Sequence, residues 1–223
     1  MIKVIDDLIP YGYQKHIYDL VANQDMDFYF HRNVVDPRPL HYNAAKNSNV
    51  HAFVHVAFRN KITQSKFFPT LYPITFSIPE KTGVKFSMLD RMGVNFSVGQ
   101  GESRMLHHLP HIDNSYKHYV AIYYVNDCCG DTFIFEQRNE FLNDQYSMPN
   151  THWDSGNADP NFMFTEKQCQ EEEDKIYERN EWTIKHRVTP KMGRLVIFDG
   201  AHYHASSDTT DDFRCVINMN LIP

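Results

Sequence analysis

Cysteine is scarce in this chain and poorly spaced for either of its structural uses. Of four in 223 residues, Cys128 and Cys129 are adjacent, and Cys169 and Cys215 stand alone. No Cys-x-x-Cys metal pair and no disulfide framework follow from that placement, so the thiols read as reduced, in an intracellular, cytoplasmic protein. Long apolar runs are also missing: nothing approaches the roughly 20 residues that cross a bilayer. The opening MIKVIDDLIPYGYQ carries charges among its apolar residues, unlike an export signal. Positive charge is in deficit, with 22 Lys and Arg against 28 Asp and Glu, a net charge of -6 and a pI near 6.1. This weighs against a protein that coats nucleic acid. There is no internal repeat, low-complexity tract or linker. A chain of 223 residues, 42% hydrophobic, suffices for one core, and a single domain over 1–223 is expected.

What is present changes character along the chain. Residues 1–9 alternate as a short strand, and Pro10 precedes Tyr13, Ile17, Leu20 and Val21 at helical spacing. Pro37, Pro39 and several asparagines predict loops and short strands over 24–60. Over 62–82, Pro69, Pro73 and Pro79 allow a helix only where they stand at its ends or kink it. From 84 onward come short segments rich in β-branched and aromatic residues: VKFSMLDRMGVNFSVG, YVAIYYVN, TFIFEQ, WTIKHRV, GRLVIFDG and FRCVINMNLI. Asp127-Cys-Cys-Gly130 and Gly193 supply turns between them. The pattern predicts a mainly β protein with flanking helices, an antiparallel jelly roll with N-terminal helices. Residues 137–182 interrupt the rhythm with Pro149, Ser155-Gly-Asn157, Pro160 and the acidic run 171–174, and read as an insertion or lid with one polar helix.

With 13 histidines and 18 aspartates, His-x-Asp is expected about once by chance, and it occurs twice. His152-Trp-Asp154 lies among turn residues. His111-Ile-Asp113 precedes a strand, and an extended Ile112 would point both side chains the same way. Two imidazoles and a carboxylate hold one face of a non-haem Fe(II) and leave the other open. The third ligand must come from elsewhere; His186, His202 and His204 are the candidates, with His204 preferred and His202 next. His204 precedes Arg214 by ten positions, and a turn through Ser206, Ser207, Asp208 and Thr209 would let both line one cavity. An arginine there can hold a carboxylate. Alternation from Arg214 turns Asn218 and Asn220 inward, either toward a ligand or as buried amides satisfied by backbone.

His111-Ile-Asp113-Asn114, Ala121-Ile-Tyr-Tyr-Val-Asn126, Gly130-Asp-Thr132, Pro190-Lys-Met-Gly-Arg-Leu-Val-Ile-Phe198, His204 and Arg214 together resemble the Fe(II)- and 2-oxoglutarate-dependent oxygenases, in particular their prolyl 4-hydroxylase-like branch. The resemblance covers about 95–221. It implies a double-stranded β-helix (cupin-like) core with His111, Asp113 and His204 as both metal ligands and catalytic centre. It implies Fe(II), 2-oxoglutarate and O2 as cofactor and co-substrates, and allows ascorbate. Arg214 would clamp the distal carboxylate of 2-oxoglutarate, Tyr124 would donate its hydroxyl to it, and Ile122 would line it. The implied activity is hydroxylation of an unactivated C–H bond, in a prolyl residue of a peptide or protein, or else in a free amino acid or small metabolite. A non-catalytic cupin-like metal-binding protein is the reading from another class. Two departures stand out. Relatives carry a tyrosine shortly before the first histidine, where this chain reads Phe96-Ser97-Val98-Gly99. Nucleobase-oxidising members place a second arginine six residues after the clamp, where this chain has Asn220.

Overall fold

The computed structural model describes residues 1–22, 26–31, 51–99, 101, 107–142, 144 and 160–223, with side chains from 167 onward in the last stretch. Eleven strands are described: β1 Ile2–Ile5, β2 Tyr29–His31, β3 Ala52–Arg59, β4 Ile62–Thr63, β5 Met88–Val98, β6 Tyr119–Tyr124, β7 Thr132–Arg138, β8 Ile184–Val188, β9 Leu195–Asp199, β10 His202–Ser206 and β11 Phe213–Ile222. Helices are α1 Tyr11–Ala22, α2 Phe68–Leu71, α3 Ile74–Thr82 and α4 Pro160–Arg179.

All described strand pairs are antiparallel. A large sheet runs β1-β9-β6-β11-β5-β3-β2, with β4 on β3, and a small one runs β10-β7-β8. Face to face, they make the double-stranded β-helix. The central strands read as nearly continuous apolar runs because both of their faces are covered. Val120, Ile122 and Tyr124 of β6 point between the sheets with Ile134, Val188, Val196, Phe198 and Val216. Ala121 and Tyr123 point the other way, onto a core shared with Ile17 and Val21 of α1 and Leu71, Ile74 and Ile78 of α2 and α3.

The prolines over 62–82 sort by position. Pro69 opens α2, Pro73 caps α3, and Pro79 stands inside α3, where it removes one N–H from the ladder. Gly193, before β9, has φ +80°, and a Cβ there would lie 2.4 Å from the Gln14 side chain, so turn and close packing both require glycine. All four cysteines are free. Among the described residues, no helix is long and apolar enough to cross a membrane.

Strand β7 ends at Arg138 and β8 begins at Ile184; between them, α4 packs on the outer face of the small sheet. Its Ile176 and Tyr177 join Phe133, Phe135, Tyr203 and Trp182 in an aromatic cluster. The Tyr177 hydroxyl donates to the carbonyl of Pro110, and Ile112 packs against this cluster and against Leu142, Cys169 and Ala201. The acidic run of α4 therefore belongs to a helix that supports residues 110–112 from behind. The expected lid falls in part on residues 143 and 145–159, outside the described set, as does His152-Trp-Asp154.

Candidate metal centre

His111 and His204 meet as a cross-strand pair. The backbone N–H of each donates to the carbonyl of the other at 2.9 Å, an isolated antiparallel bridge that continues the small sheet beyond β10. Directly opposed residues share a face, and the two rings lie 4.5 Å apart between centroids. Asp113 completes the group. Its Oδ1 lies 3.6 Å from His111 Nε2 and 3.5 Å from His204 Nε2. One ligand atom from each of the three lies within 4.8 Å of the others. The donor set, two imidazoles and one carboxylate, suits Fe(II) with open positions. Asp113 leaves 6% of its side chain exposed and His111 leaves 26%, so the group opens on the His111 side.

The protonation states of His111 and Asp113 also suit a cation. Burial, then the charge of His204, push the His111 imidazole down to about 4, which keeps it neutral near pH 7. Burial alone would raise the Asp113 carboxyl, but the hydrogen bond and charge of His204, then His111, outweigh it and hold it well below its usual value. Metal binding requires a neutral imidazole and an ionised carboxylate.

His202, the second candidate, stands apart from this group. The pairing of β10 with β7 shifts register between positions 202 and 204. Its Nδ1 pairs with the Phe135 carbonyl at 2.9 Å, and its Nε2 lies 3.1 Å from Arg138. Arg138 in turn binds Asp199. His186 is exposed on β8. His107 packs its ring on Phe133 and Phe135. His108 lines the cleft between Ser206 (3.1 Å) and Asp208 (2.8 Å).

A cleft leads from this group to Arg214, lined by Asn95, Ile122, Thr132, Ser206, Val216 and Asn218 among others. Strand register explains the convergence: Ser206 pairs with Thr132, Val216 with Asn95 and Asn218 with Ile122. Arg214 is 5% exposed. Its Nε donates to the Gly130 carbonyl at 2.7 Å and its Nη2 to Thr132 Oγ1 at 3.1 Å. No described carboxylate pairs with it, so a buried cation faces the cleft without a counter-charge.

The Tyr124 hydroxyl donates to the same Thr132 oxygen at 2.8 Å. With both lone pairs engaged, Thr132 has its own O–H left to donate, and the cleft is what it faces. Thr132 and Asn95 are the polar lining residues that residue-by-residue reading missed. The Gly130-Asp-Thr132 turn before β7 was the available signal for the first. Asn95 could have been found only by pairing β5 with β11. The Asn95 and Asn218 side-chain oxygens are buried without a partner, as expected of a cleft built for a polar ligand.

No protein-family model matches the sequence, and no curated protein matches it. Solved structures share its fold. A prolyl hydroxylase from Trichoplax adhaerens, in complex with a hypoxia inducible factor oxygen degradation domain peptide fragment, aligns with a TM-score of 0.53 at 13% identity, over 99% of this chain and 83% of that one. An oxidoreductase of the 2OG-Fe(II) oxygenase family from Burkholderia pseudomallei aligns with a TM-score of 0.57 at 9% identity, over 99% and 85%. The epimerase SnoN, in complex with Fe3+, alpha ketoglutarate and nogalamycin RO, aligns with a TM-score of 0.54 at 12% identity, over 99% and 78%. The chain thus has the fold of the 2-oxoglutarate–Fe(II) oxygenases, prolyl hydroxylases among them. At such identities the likeness is one of fold.

Proposed function

We propose that this chain is an Fe(II)- and 2-oxoglutarate-dependent dioxygenase that hydroxylates an unactivated C–H bond, with a prolyl residue of a peptide or protein as substrate. One observation carries the reading: a cleft with His111, Asp113 and His204 within 4.8 Å at one end and a buried Arg214, lacking an acidic partner among the described residues, at the other. A metal needs the first end and an anion the second; a molecule that chelates a metal while carrying a distal carboxylate needs both.

In this reading His111, Asp113 and His204 hold the iron, which with 2-oxoglutarate and O2 supplies the oxidising power for C–H hydroxylation. Arg214 and Thr132 take the distal carboxylate, and Tyr124, behind Thr132, holds that hydroxyl in place. Ile122 and Val216 form apolar walls that keep water from the co-substrate. Asn218 borders the cleft on the metal side. Four free cysteines suit a cytoplasmic setting.

The prolyl substrate rests on the sequence resemblance and on the likeness to a prolyl hydroxylase in complex with a peptide. The likeness to SnoN, in complex with nogalamycin RO, favours a small-molecule substrate as second reading. The test is anaerobic titration of the Fe(II)-loaded protein with 2-oxoglutarate, followed by the visible charge-transfer absorption of the chelate. Absorption in the wild type and none in Asp113→Ala supports the proposal. Metal uptake at the three residues without such absorption would leave a cupin-like metal-binding protein instead.

A further inference from the structure

The two oxygens of Asp113 have different surroundings. Oδ1 faces both histidines, at 3.6 and 3.5 Å. Oδ2 faces strand β11, where Asn220 Nδ2 donates to it at 2.7 Å and Asn218 Nδ2 lies at 3.5 Å, the limit of a hydrogen bond. An ionised carboxylate only accepts, so both amides must turn their nitrogens toward it. Asn220 is 1% exposed, and Val120 stands opposite it on β6. Arg91 stands opposite it on β5, and Asp113 Oδ2 is the acceptor its side-chain N–H reaches. Residues 218 and 220 also share the inward face of β11 with Arg214, so one strand carries both ends of the site.

We propose that Asn220, assisted by Asn218, is a positioning residue that occupies Asp113 Oδ2 and leaves Oδ1 alone to ligate the metal. This rests on the function proposed above, because it assigns the geometry of the same centre. A carboxylate bound through both oxygens would take a coordination position that the open face needs, whereas one with no partner would be free to rotate. A hydrogen-bonded ligand is oriented, and loss of such an outer partner typically lowers metal affinity about 10–100-fold. The donors are neutral amides, so Asp113 keeps its full charge toward the metal.

The experiment is anaerobic titration with Co(II), whose visible bands report coordination number, on wild type, Asn220→Leu, Asn218→Ala and His111→Ala. Asn220→Leu should bind Co(II) about 10–100-fold more weakly, with altered band intensities. Asn218→Ala should show a smaller loss, in keeping with its longer contact. Asn220→Ser removes the amide without adding bulk and is read by the same criteria if the apolar replacement does not fold. Wild-type affinity together with an unchanged spectrum in the Asn220 variants overturns this inference alone. Failure of the wild type to bind Co(II) any better than His111→Ala overturns the proposed function along with it.

Discussion

The guanidinium of Arg214 reaches Thr132 through a 3.1 Å hydrogen bond from Nη2 to Oγ1, in a site where Arg214 is only 5% exposed. Its other described acceptor, the Gly130 carbonyl, is equally neutral. A buried cation among neutral acceptors pays a desolvation cost that an anion would offset. Arg214→Ala should therefore weaken 2-oxoglutarate binding by about one to two decades, the equivalent of roughly 1.5–3 kcal/mol for a charged hydrogen bond. Anaerobic titration measures it. Metal affinity in the same variant should be unchanged, because Arg214 touches none of the three candidate ligands.

Thr132 accepts from two donors, and its removal should cost more than removal of the Tyr124 hydroxyl. Thr132→Val leaves the Tyr124 hydroxyl and one Arg214 N–H buried and unpaired, at about 1–3 kcal/mol for each unsatisfied group. A lower Tm and an approximately tenfold weaker 2-oxoglutarate complex, about 1.4 kcal/mol, are expected. Tyr124→Phe deletes one donor and leaves Thr132 bound to Arg214, so its losses should be smaller on both measurements. Calorimetry of the two variants decides the order; the reverse order would mean that Tyr124 meets the co-substrate directly.

Much of this arrangement can be read from the chain, and the remainder is hidden for identifiable reasons. Alternation and β-branched content locate β5 through β9 and β11; all of these but β8, exposed along Ile184 to Arg187, are buried on one or both faces, and their patterns are strong. His111 and Asp113 follow from one local feature, two candidate ligands flanking a single residue ahead of a strand. His204 over His202 does not: His204 meets His111 and Asp113 while His202 meets the Phe135 carbonyl and Arg138, and no period within β10 betrays the difference. Alternation correctly turns Asn220 inward, yet the acceptor of its side-chain N–H, Asp113, lies 107 residues away, a contact that no local pattern announces. Asn95 needs the same long-range register. Thr132 differs, since a Gly-Asp-Thr turn announces it and only its two donors are non-local.

Burial pushes the Tyr124 hydroxyl up to about 12, against the opposing charge of Arg214. An unfolded tyrosine ionises near 10, so between about 10 and 12 the folded chain keeps a proton that the unfolded chain has lost. The Tyr124 contribution to stability is thus complete below pH 10 and is lost as pH rises toward 12. Tyr124→Phe should have a shallower fall of Tm between pH 9.5 and about 11.5 than the wild type. Parallel profiles would show that this hydroxyl ionises as readily as in the unfolded chain, and so is not the buried donor to Thr132.

Gly130 and Gly193 should separate co-substrate binding from stability. A Cβ on Gly130 would lie 2.7 Å from Arg214 Cδ, closer than real contacts allow, and 3.2 Å from the Ser207 carbonyl, tighter than most. The φ of Gly130 is not positive, so alanine meets no backbone strain there, and the obstacle is the side chain of Arg214. That side chain cannot shift freely, because Gly130 and Thr132 hold it at Nε and Nη2. Gly130→Ala should fold at a cost of about 1–3 kcal/mol, as overpacking does, and bind 2-oxoglutarate about tenfold more weakly, about 1.4 kcal/mol, with metal affinity unaltered. Gly193→Ala meets both a positive φ and Gln14 at 2.4 Å, away from the cleft, and should lose stability while the folded fraction keeps its affinity. Differential scanning calorimetry and 2-oxoglutarate titration on both variants test the contrast. Equal co-substrate affinity in Gly130→Ala and wild type would show that Arg214 can relocate without leaving the carboxylate, and would remove the Gly130 contact from the clamp.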